Sequence, residues 1–195
     1  PLLADAKAGR VLSMIGGPPC SSASRVRFVR GRDKDAPVVR TMSDVDGHKC
    51  PPEHRAEIAE THALARRLVA VGNAVLDNGG SVVLETPAHC GRGAAHNMYI
   101  PECDEHATVL HSTTWEPLVS RLCKYSISLC ALGASSQKPL DIYVSPNLTE
   151  TLGNETLGLA LPVETNDSFA RLLALLEPVV PGELHVLDGR VLCRA

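Results

Sequence analysis

The sequence predicts an α/β domain in which helices alternate with the strands of a mainly parallel sheet. Short apolar runs of strand length end in turns rich in glycine and proline, and the stretch between the first two runs has helical periodicity. Apolar residues make up 44% and charged residues 21% of the 195 residues, which is typical of globular proteins. A chain of this length can bury a sizeable core.

The amino-terminal half predicts a helix, a strand, a second helix and a second strand. The first strand stops at the turn Gly16-Gly17-Pro18-Pro19, and the long helix stops at Asn78-Gly79-Gly80. In order, the predicted elements are a helix at 2–8, a strand at 11–15, a loop at 24–50, a helix from Pro51 to the stop at Asn78, and a strand at 81–84.

The carboxy-terminal half predicts shorter elements. Asp188-Gly189 lies between two short apolar runs, a strong hairpin signal. In order, the predicted elements are a loop at 88–107, a helix at 115–123, a strand at 125–131, a turn at 133–136, a strand at 141–144, a loop at 145–166, a helix at 168–176, and hairpin strands at 184–187 and 190–193.

Charge and cysteine usage narrow the class of protein. The net charge of -3 is low for a protein that binds phosphates by charge alone, but residues 21–40 are locally basic and are either a polyanion site or a solvated loop. No apolar run approaches the roughly 18 residues of a membrane span, and no signal-peptide pattern is visible. Seven scattered cysteines indicate reduced thiols, so we expect an intracellular protein without a membrane partner.

Two reactive side chains follow predicted strands. Cys20 comes after Gly16-Gly17-Pro18-Pro19, whose prolines stiffen the loop, and Glu85 comes after Val82-Val83-Leu84. Carboxyl ends of parallel strands meet at one edge of a sheet, so we expect both side chains to face one pocket. A thiolate there can act as a nucleophile, aided by the arginines at 25–32, and a desolvated carboxyl can hold a proton. Taken alone, each residue also fits a structural role, Cys20 as a buried cysteine and Glu85 as a carboxylate that caps a loop.

Three segments resemble, in order, the motifs of the cytosine-5 DNA methyltransferases. Gly16-Gly17-Pro18-Pro19-Cys20-Ser21-Ser22-Ala23-Ser24 is similar to the family's Gly-Pro-Pro-Cys-Gln-x-Phe-Ser. Val82-Val83-Leu84-Glu85-Thr86-Pro87 is similar to an apolar run followed by Glu-Asn-Val or Glu-Asn-Pro. Leu132-Gly133-Ala134-Ser135-Ser136-Gln137-Lys138 with Ile142-Tyr143 is similar to Tyr-Gly-x-x-Gln-Lys-Arg-x-Arg-Ile-Tyr. The three motifs fall within 11–145.

The resemblance implies a Rossmann-like methyltransferase sheet of three α/β/α layers, present in part, with DNA as partner and S-adenosylmethionine as cofactor. It implies a catalytic core at 1–145, and the remaining residues, 146–195, are an extension in which the local pattern predicts one helix and a hairpin. It also implies that Cys20 adds to carbon 6 of a flipped-out cytosine, that Glu85 binds and protonates ring nitrogen 3, and that carbon 5 then takes the methyl group. The positions implied to contact the substrate are Pro18, Pro19, Ser21, Ser24, Arg25, Thr86, Pro87, Gln137 and Lys138.

The chain departs from the family's motifs at several positions, namely Ser21, Ala23, Thr86, Pro139 and Asp141. The last two replace arginines, and an acidic Asp141 cannot hold a cytosine or a phosphate, which leaves Lys138 to compensate. The cofactor loop is also missing, because the residues before Gly16 contain one glycine, Gly9. We therefore expect that the cofactor half is a missing amino-terminal segment or a partner chain, or that the protein is a non-catalytic relic that acts as an interaction module.

Two further alternatives remain open. A zinc-binding module is one, because histidines and cysteines cluster twice and zinc needs four such ligands. The clustered residues are Cys90, His96, Cys103, His106 and His111, and separately His48, Cys50 and His54. The other alternative is a hydrolase that uses Cys20 with a histidine, although no histidine lies in a recognisable partner motif.

Overall fold

The computed structural model describes residues 1–23, 38–94, 99–128, 139–149, 183–187 and 190–194. Six strands within these residues form one mixed sheet in the order β3-β4-β2-β1-β6-β5. The strands are β1 (Val11–Gly16), β2 (Ser81–Pro87), β3 (Cys123–Ser128), β4 (Pro139–Val144), β5 (Glu183–Leu187) and β6 (Arg190–Arg194). The α-helices are α1 (Leu2–Lys7), α2 (Arg55–Asp77) and α3 (Glu116–Val119).

The segment β1–α2–β2 is a parallel crossover, as the sequence predicts. β1 and β2 pair in parallel, with Gly16 opposite Leu84. A parallel pair needs a long connection, and α2 provides it. The helix ends because Gly79 adopts a positive φ of 77°, and the Gly80 N–H donates to the carbonyl of Val75 at 2.9 Å. This unit brings the ends of β1 and β2 to the same edge of the sheet.

The expectation of a mainly parallel sheet is wrong for the strands that the structure describes. β2 pairs antiparallel with β4, and so do β3 with β4, β1 with β6, and β5 with β6. The connection between β3 and β4 is short, and two residues join β5 to β6, so neither connection can make the crossover that parallel strands require. The fold is therefore of the α/β class with a mixed sheet.

The predicted hairpin at the carboxy-terminal end forms and extends the sheet. β6 pairs with β1, with Ile15 opposite Val191. The sheet thus runs across the predicted boundary after residue 145.

A hydrophobic core fills the space between the helices and one face of the sheet. Its buried members include Ala6, Met14, Val75, Leu84, Trp115 and Leu118. Ile15 and Val83, which alternate with core residues along their strands, are also buried, at 3% and 2% exposure. Both faces of the central strands are therefore shielded from solvent.

Several predicted boundaries differ from the structure, and the clearest differences are at the ends of β2 and α3. β2 continues through Glu85 to Pro87, because β4 pairs with it as far as Leu140 opposite Pro87. α3 covers only Glu116–Val119, because β3 begins at Cys123 and pairs with β4. The turn predicted at 133–136 and the helix predicted at 168–176 lie outside the described residues.

In the part of the chain that the structure describes, no helix combines the length and apolar character needed to cross a membrane.

Candidate functional site

The first two motif segments meet at one edge of the sheet. Because Gly16 lies opposite Leu84 in the parallel β1–β2 pair, the residues that follow them leave the sheet side by side. A Cβ built on Gly17 would lie 3.2 Å from Oε2 of Glu85. The Glu85 carboxylate therefore rests against the backbone of the loop that carries Cys20, at a point three residues before the thiol.

Cys20 begins a tight turn after the two prolines. Its side chain is half-buried, while Pro18 is buried and Pro19 exposed. Residues Ser21–Ala23 form one turn of 3₁₀ helix, and the Ala23 N–H donates to the carbonyl of Cys20 at 3.0 Å. We name Cys20–Ala23 the thiol turn. The predicted residue thus lies in an ordered segment at the edge of the sheet.

Contacts from three separate parts of the chain hold the thiol turn. The Ser21 hydroxyl donates to Oε1 of Glu57 on α2 at 2.8 Å. The Ser22 hydroxyl accepts a hydrogen bond from Nε of Arg40 at 3.1 Å, and the Ala23 carbonyl lies 3.0 Å from Nε2 of His106. Each of the three residues after Cys20 is therefore held by a contact with a different part of the chain.

Thr86 and Pro87 lie inside β2 rather than in a loop after it. Thr86 is 1% exposed, and its hydroxyl has no hydrogen-bond partner among the described residues. It lies opposite Asp141 of β4. Side chains alternate along a strand, so Thr86 points away from the face to which Glu85 points.

Asp141 is a buried carboxylate whose partners explain its presence. Its oxygens accept hydrogen bonds from the Ser126 hydroxyl at 2.6 Å and the His89 N–H at 3.1 Å. The ammonium of Lys124 lies 2.8 Å from the same carboxylate, and the Lys124 side chain is 41% exposed. Lys124 thus neutralises the acid that stands where the similar motif has an arginine. Sequence reasoning missed this lysine, whose only signal is its alternation with Ser126 on β3.

Part of the predicted site lies outside the described residues, namely Ser24, Arg25, Gln137 and Lys138. The same holds for most of the basic stretch in 21–40. Arg40 belongs to that stretch but is buried, at 1% exposure, so it adds nothing to a surface patch. The expectation that it forms part of a solvated or polyanion-facing loop is therefore wrong.

Three histidine rings pack together beside the thiol turn. The ring centroids of His89 and His106 are 5.7 Å apart, and those of His89 and His111 are 5.0 Å apart. His106 uses both nitrogens, Nε2 toward Ala23 and Nδ1 as acceptor from the Cys90 N–H at 3.4 Å. Burial, with His89 and Lys124 nearby, lowers the pKa of His111 to about 4. We name these three residues the histidine cluster; it links the thiol turn to the segment after β2.

The zinc alternative finds no support among the described residues, where no group of three or more histidines, cysteines or acids is arranged to hold a metal ion. Cys50 packs with Val39 and Ile58 in a small apolar cluster, and His54 pairs with Glu57 at 3.2 Å. His96 lies outside the described residues. Cysteines with described side chains are free thiols, namely Cys20, Cys50, Cys90, Cys103 and Cys123.

The described residues do not fit S-adenosylmethionine as the family binds it, on a glycine-rich loop at the carboxyl end of a strand. Gly9, the glycine that precedes β1, lies at the opposite edge of the sheet. A Cβ built there would lie 3.5 Å from Oδ1 of Asn78, the residue that caps α2. Its positive φ of 69° serves the tight turn between α1 and β1.

Comparisons of the chain with protein-family models, with curated proteins and with solved structures find no match. The proposed function therefore rests on the resemblance of the motifs together with the contacts of the described residues.

Proposed function

We propose that this chain carries the nucleophile-bearing part of a cytosine-5 DNA methyltransferase-like enzyme, built on part of a Rossmann-like methyltransferase sheet. One observation carries the proposal: the Glu85 carboxylate lies against Gly17, in the loop that leads to Cys20, at the ends of adjacent parallel strands. A thiol and a carboxyl at one sheet edge are the two groups that activation of a cytosine ring requires.

In the proposed reaction the cytosine is flipped out of the duplex, and the Cys20 thiolate attacks carbon 6. A C6–S bond forms and the electron pair of the C5–C6 double bond moves to carbon 5. Glu85 binds and protonates ring nitrogen 3, which stabilises the charge that develops in the ring. Carbon 5 is then an enamine carbon that accepts an electrophile. Loss of the original hydrogen from carbon 5 allows the thiolate to leave and restores the aromatic ring.

The pairing of Lys124 with Asp141 supports the proposal at the position where the sequence departs most from the family. A lone carboxylate would repel the phosphates of DNA, but this one is 1% exposed and lies 2.8 Å from the Lys124 ammonium. The exposed group at this point is the lysine, which has further N–H donors. Lys124 and Asp141 lie on the face of the sheet opposite to Glu85, where the lysine neutralises the acid, so Asp141 does not count against the proposal.

S-adenosylmethionine supplies the methyl group in this family, but the described residues do not fit it. The steps assigned to Cys20 and Glu85 do not depend on it. Once the thiolate has added, carbon 5 can accept a proton from water in place of a methyl group. A hydrogen at carbon 5 then exchanges with solvent without any methyl donor.

Exchange at carbon 5 tests the proposal. The protein is incubated with duplex DNA that contains [5-³H]cytosine, without S-adenosylmethionine, and tritium released into water is counted. We expect release by the wild-type chain and none by Cys20→Ser. Glu85→Gln should release tritium about 10²–10⁴ times more slowly, the usual contribution of general acid–base catalysis.

Matched controls are Cys123→Ser, which removes another half-buried cysteine, and Glu116→Gln, which changes an exposed glutamate; both should keep the wild-type rate. Undiminished release by Cys20→Ser would refute the assignment of the nucleophile. A folded wild-type chain that binds DNA but releases no tritium would instead favour the second candidate, a non-catalytic interaction module. The lack of a cofactor site in the described residues is the observation that favours that candidate.

A further inference from the structure

Arg40 is a buried arginine that lies against the thiol turn. With Trp115 it is among the largest side chains that are almost completely inaccessible, at 1% exposure. Nε donates to the Ser22 hydroxyl at 3.1 Å, and Nη1 donates to the carbonyl of Val45 at 2.7 Å. Nη2 is buried without a hydrogen-bond partner among the described residues. The guanidinium therefore joins the thiol turn to residue 45 and is not fully satisfied there.

Packing alone does not explain an arginine at this position. Burial lowers its pKa, and the nearby acids Asp46 and Asp44 offset this only partly. The Asp46 carboxylate is already bonded to Ser112 and Thr113, at 2.7 Å each. Burying a charge without a hydrogen-bonded counterion is unfavourable, so the arginine needs a reason to be retained. Among the residues that the structure describes, the side chain that Arg40 binds is Ser22, two residues after Cys20.

The geometry points to Arg40 as a positioning residue that sets the placement of the Cys20 thiol by holding Ser22. A guanidinium is planar and rigid, so its two bonds fix the distance between the thiol turn and Val45. Ser21 and Ala23 are held by other groups, which leaves Arg40 as the anchor of the middle of the turn. The consequence for catalysis rests on the proposed function, but the effect on the turn does not.

The alkylation rate of Cys20 measures the placement of the turn without DNA. Folded protein reacts with iodoacetamide at one fixed pH, and peptide mass spectrometry follows Cys20, with half-buried Cys123 as internal reference. The variants are Ser22→Ala, Arg40→Met and the double variant, and Arg10→Met is the control because Arg10 is exposed and binds Asp5. Thermal unfolding of each variant confirms that it folds.

We expect the Cys20 alkylation rate to rise about fivefold in Ser22→Ala and in Arg40→Met, because loss of the anchor exposes the thiol. The alkylation rate of the double variant should rise no further, since each single change already breaks the bond between Arg40 and Ser22. Cys123 and the Arg10→Met control should keep their rates. In the tritium-release assay, kcat should fall and KM should stay the same, because the thiol is displaced while the DNA surface is not.

A Cys20 rate that changes less than about twofold in folded Ser22→Ala, or single effects that simply multiply in the double variant, would overturn the inference. If Arg40→Met does not fold, Ser22→Ala alone tests the inference, because that variant retains Arg40. If alkylation responds as expected but the wild-type chain releases no tritium, the proposed function fails and the role of Arg40 stands. If tritium is released and alkylation does not respond, the role of Arg40 fails and the proposed function stands.

Discussion

Gly17 lets the Glu85 carboxylate lie against the loop that leads to Cys20, because it has no side chain. Its missing Cβ leaves room for the Glu85 carboxylate, whose Oε2 would lie 3.2 Å from that atom. This distance is too short for a comfortable contact, so a methyl group at residue 17 must displace the carboxylate. Gly16, its neighbour, has nothing within 4 Å of the equivalent position. Substitution of Gly17 therefore tests the role of the carboxylate position, and the same substitution at Gly16 is the matched control.

We predict that Gly17→Ala lowers the rate of tritium release from [5-³H]cytosine by about tenfold or more, since small displacements of a reacting group are costly. Gly16→Ala should stay within about twofold of the wild-type rate. Both variants should unfold within a few degrees of the wild-type protein, as thermal melts would check. Equal rates for the two variants would mean that the carboxylate position at Gly17 is unimportant.

The lowered pKa of His111 predicts that the protein loses stability in acid. Its pKa is lowered from 6.5 to about 4, mainly by burial, so the folded chain binds a proton less readily than the unfolded chain does. The stability that depends on a neutral His111 is fully present above pH 6.5 and is lost as the pH falls toward 4. Between pH 7 and pH 4.5 the free energy of unfolding should fall by about 2 kcal/mol through this group.

Urea unfolding of the wild type and of His111→Gln at the two pH values isolates this effect. Glutamine can still accept the Thr108 N–H, which lies 3.3 Å from Nδ1 of His111, but it does not titrate. The stability difference between the two proteins should therefore shrink or reverse at pH 4.5. Parallel loss of stability by both proteins would show that His111 is not responsible.

At the residue scale, the sequence predicts Cys20 and Glu85 as candidates because each differs from its neighbours in type and position. It predicts neither the burial of Arg40 nor the pairing of Lys124 with Asp141. It groups His106 and His111 as possible zinc ligands, but it does not predict that their rings pack against that of His89. Arg40 lies in a basic stretch that is typical of a loop, and its burial depends on contacts with Ser22 and Val45 that follow no local pattern. The partners of Asp141 lie on β3 and in the segment after β2, so an aspartate where the similar motif has arginine gave no sign that a lysine neutralises it.

At the scale of elements, the site depends on α2, which connects β1 to β2. This helix packs closely against α3 and β1 at Gly72. A Cβ there would lie 2.7 Å from Cδ2 of Leu118 and 3.0 Å from Cε of Met14. The glycine thus allows α3 and β1 to approach the helix. The methionine end is flexible, but Leu118 is fully buried and cannot move freely.

Gly72→Ala should lower the free energy of unfolding by about 1–3 kcal/mol through overpacking, although alanine favours helices. Leu118→Ala removes the obstructing methyl groups and provides the matched background. In that background Gly72→Ala should be neutral or stabilising by up to about 1 kcal/mol. Urea denaturation of the four proteins gives the cycle, and the same penalty in both backgrounds would contradict the role assigned to Leu118.

Local patterns predicted β1, α2, β2 and the carboxy-terminal hairpin, because each depends on periodicity and turn residues within its own segment. They could not predict that β4 pairs antiparallel with β2, a contact between Val83 and Val144 that is distant in sequence. The same pairing extends β2 past Glu85 to Pro87. The separate pairing of β3 with β4 includes Cys123 in β3, so the helix predicted at 115–123 is limited to one turn.

At the scale of the whole molecule, the sheet brings together two segments that are 65 residues apart, Cys20 and Glu85. α2 crosses between β1 and β2, which places their ends at one edge. The thiol turn is then fixed by α2, by Arg40 and by His106, while the segment after β2 is tied to β4 through Asp141. The two halves of the candidate site are thus held by long-range contacts on both sides.

A covalent adduct with 5-azacytosine DNA tests the central claim, that Cys20 attacks carbon 6 of cytosine. Position 5 of this base is a nitrogen, which makes carbon 6 more electrophilic and takes up a proton after the thiolate adds, so the adduct forms without a methyl donor. We predict a denaturation-resistant complex on a gel, with the modified peptide mapped to Cys20 and no complex from Cys20→Ser. A folded wild-type chain that forms no adduct, or an adduct that maps to another cysteine, would contradict the account.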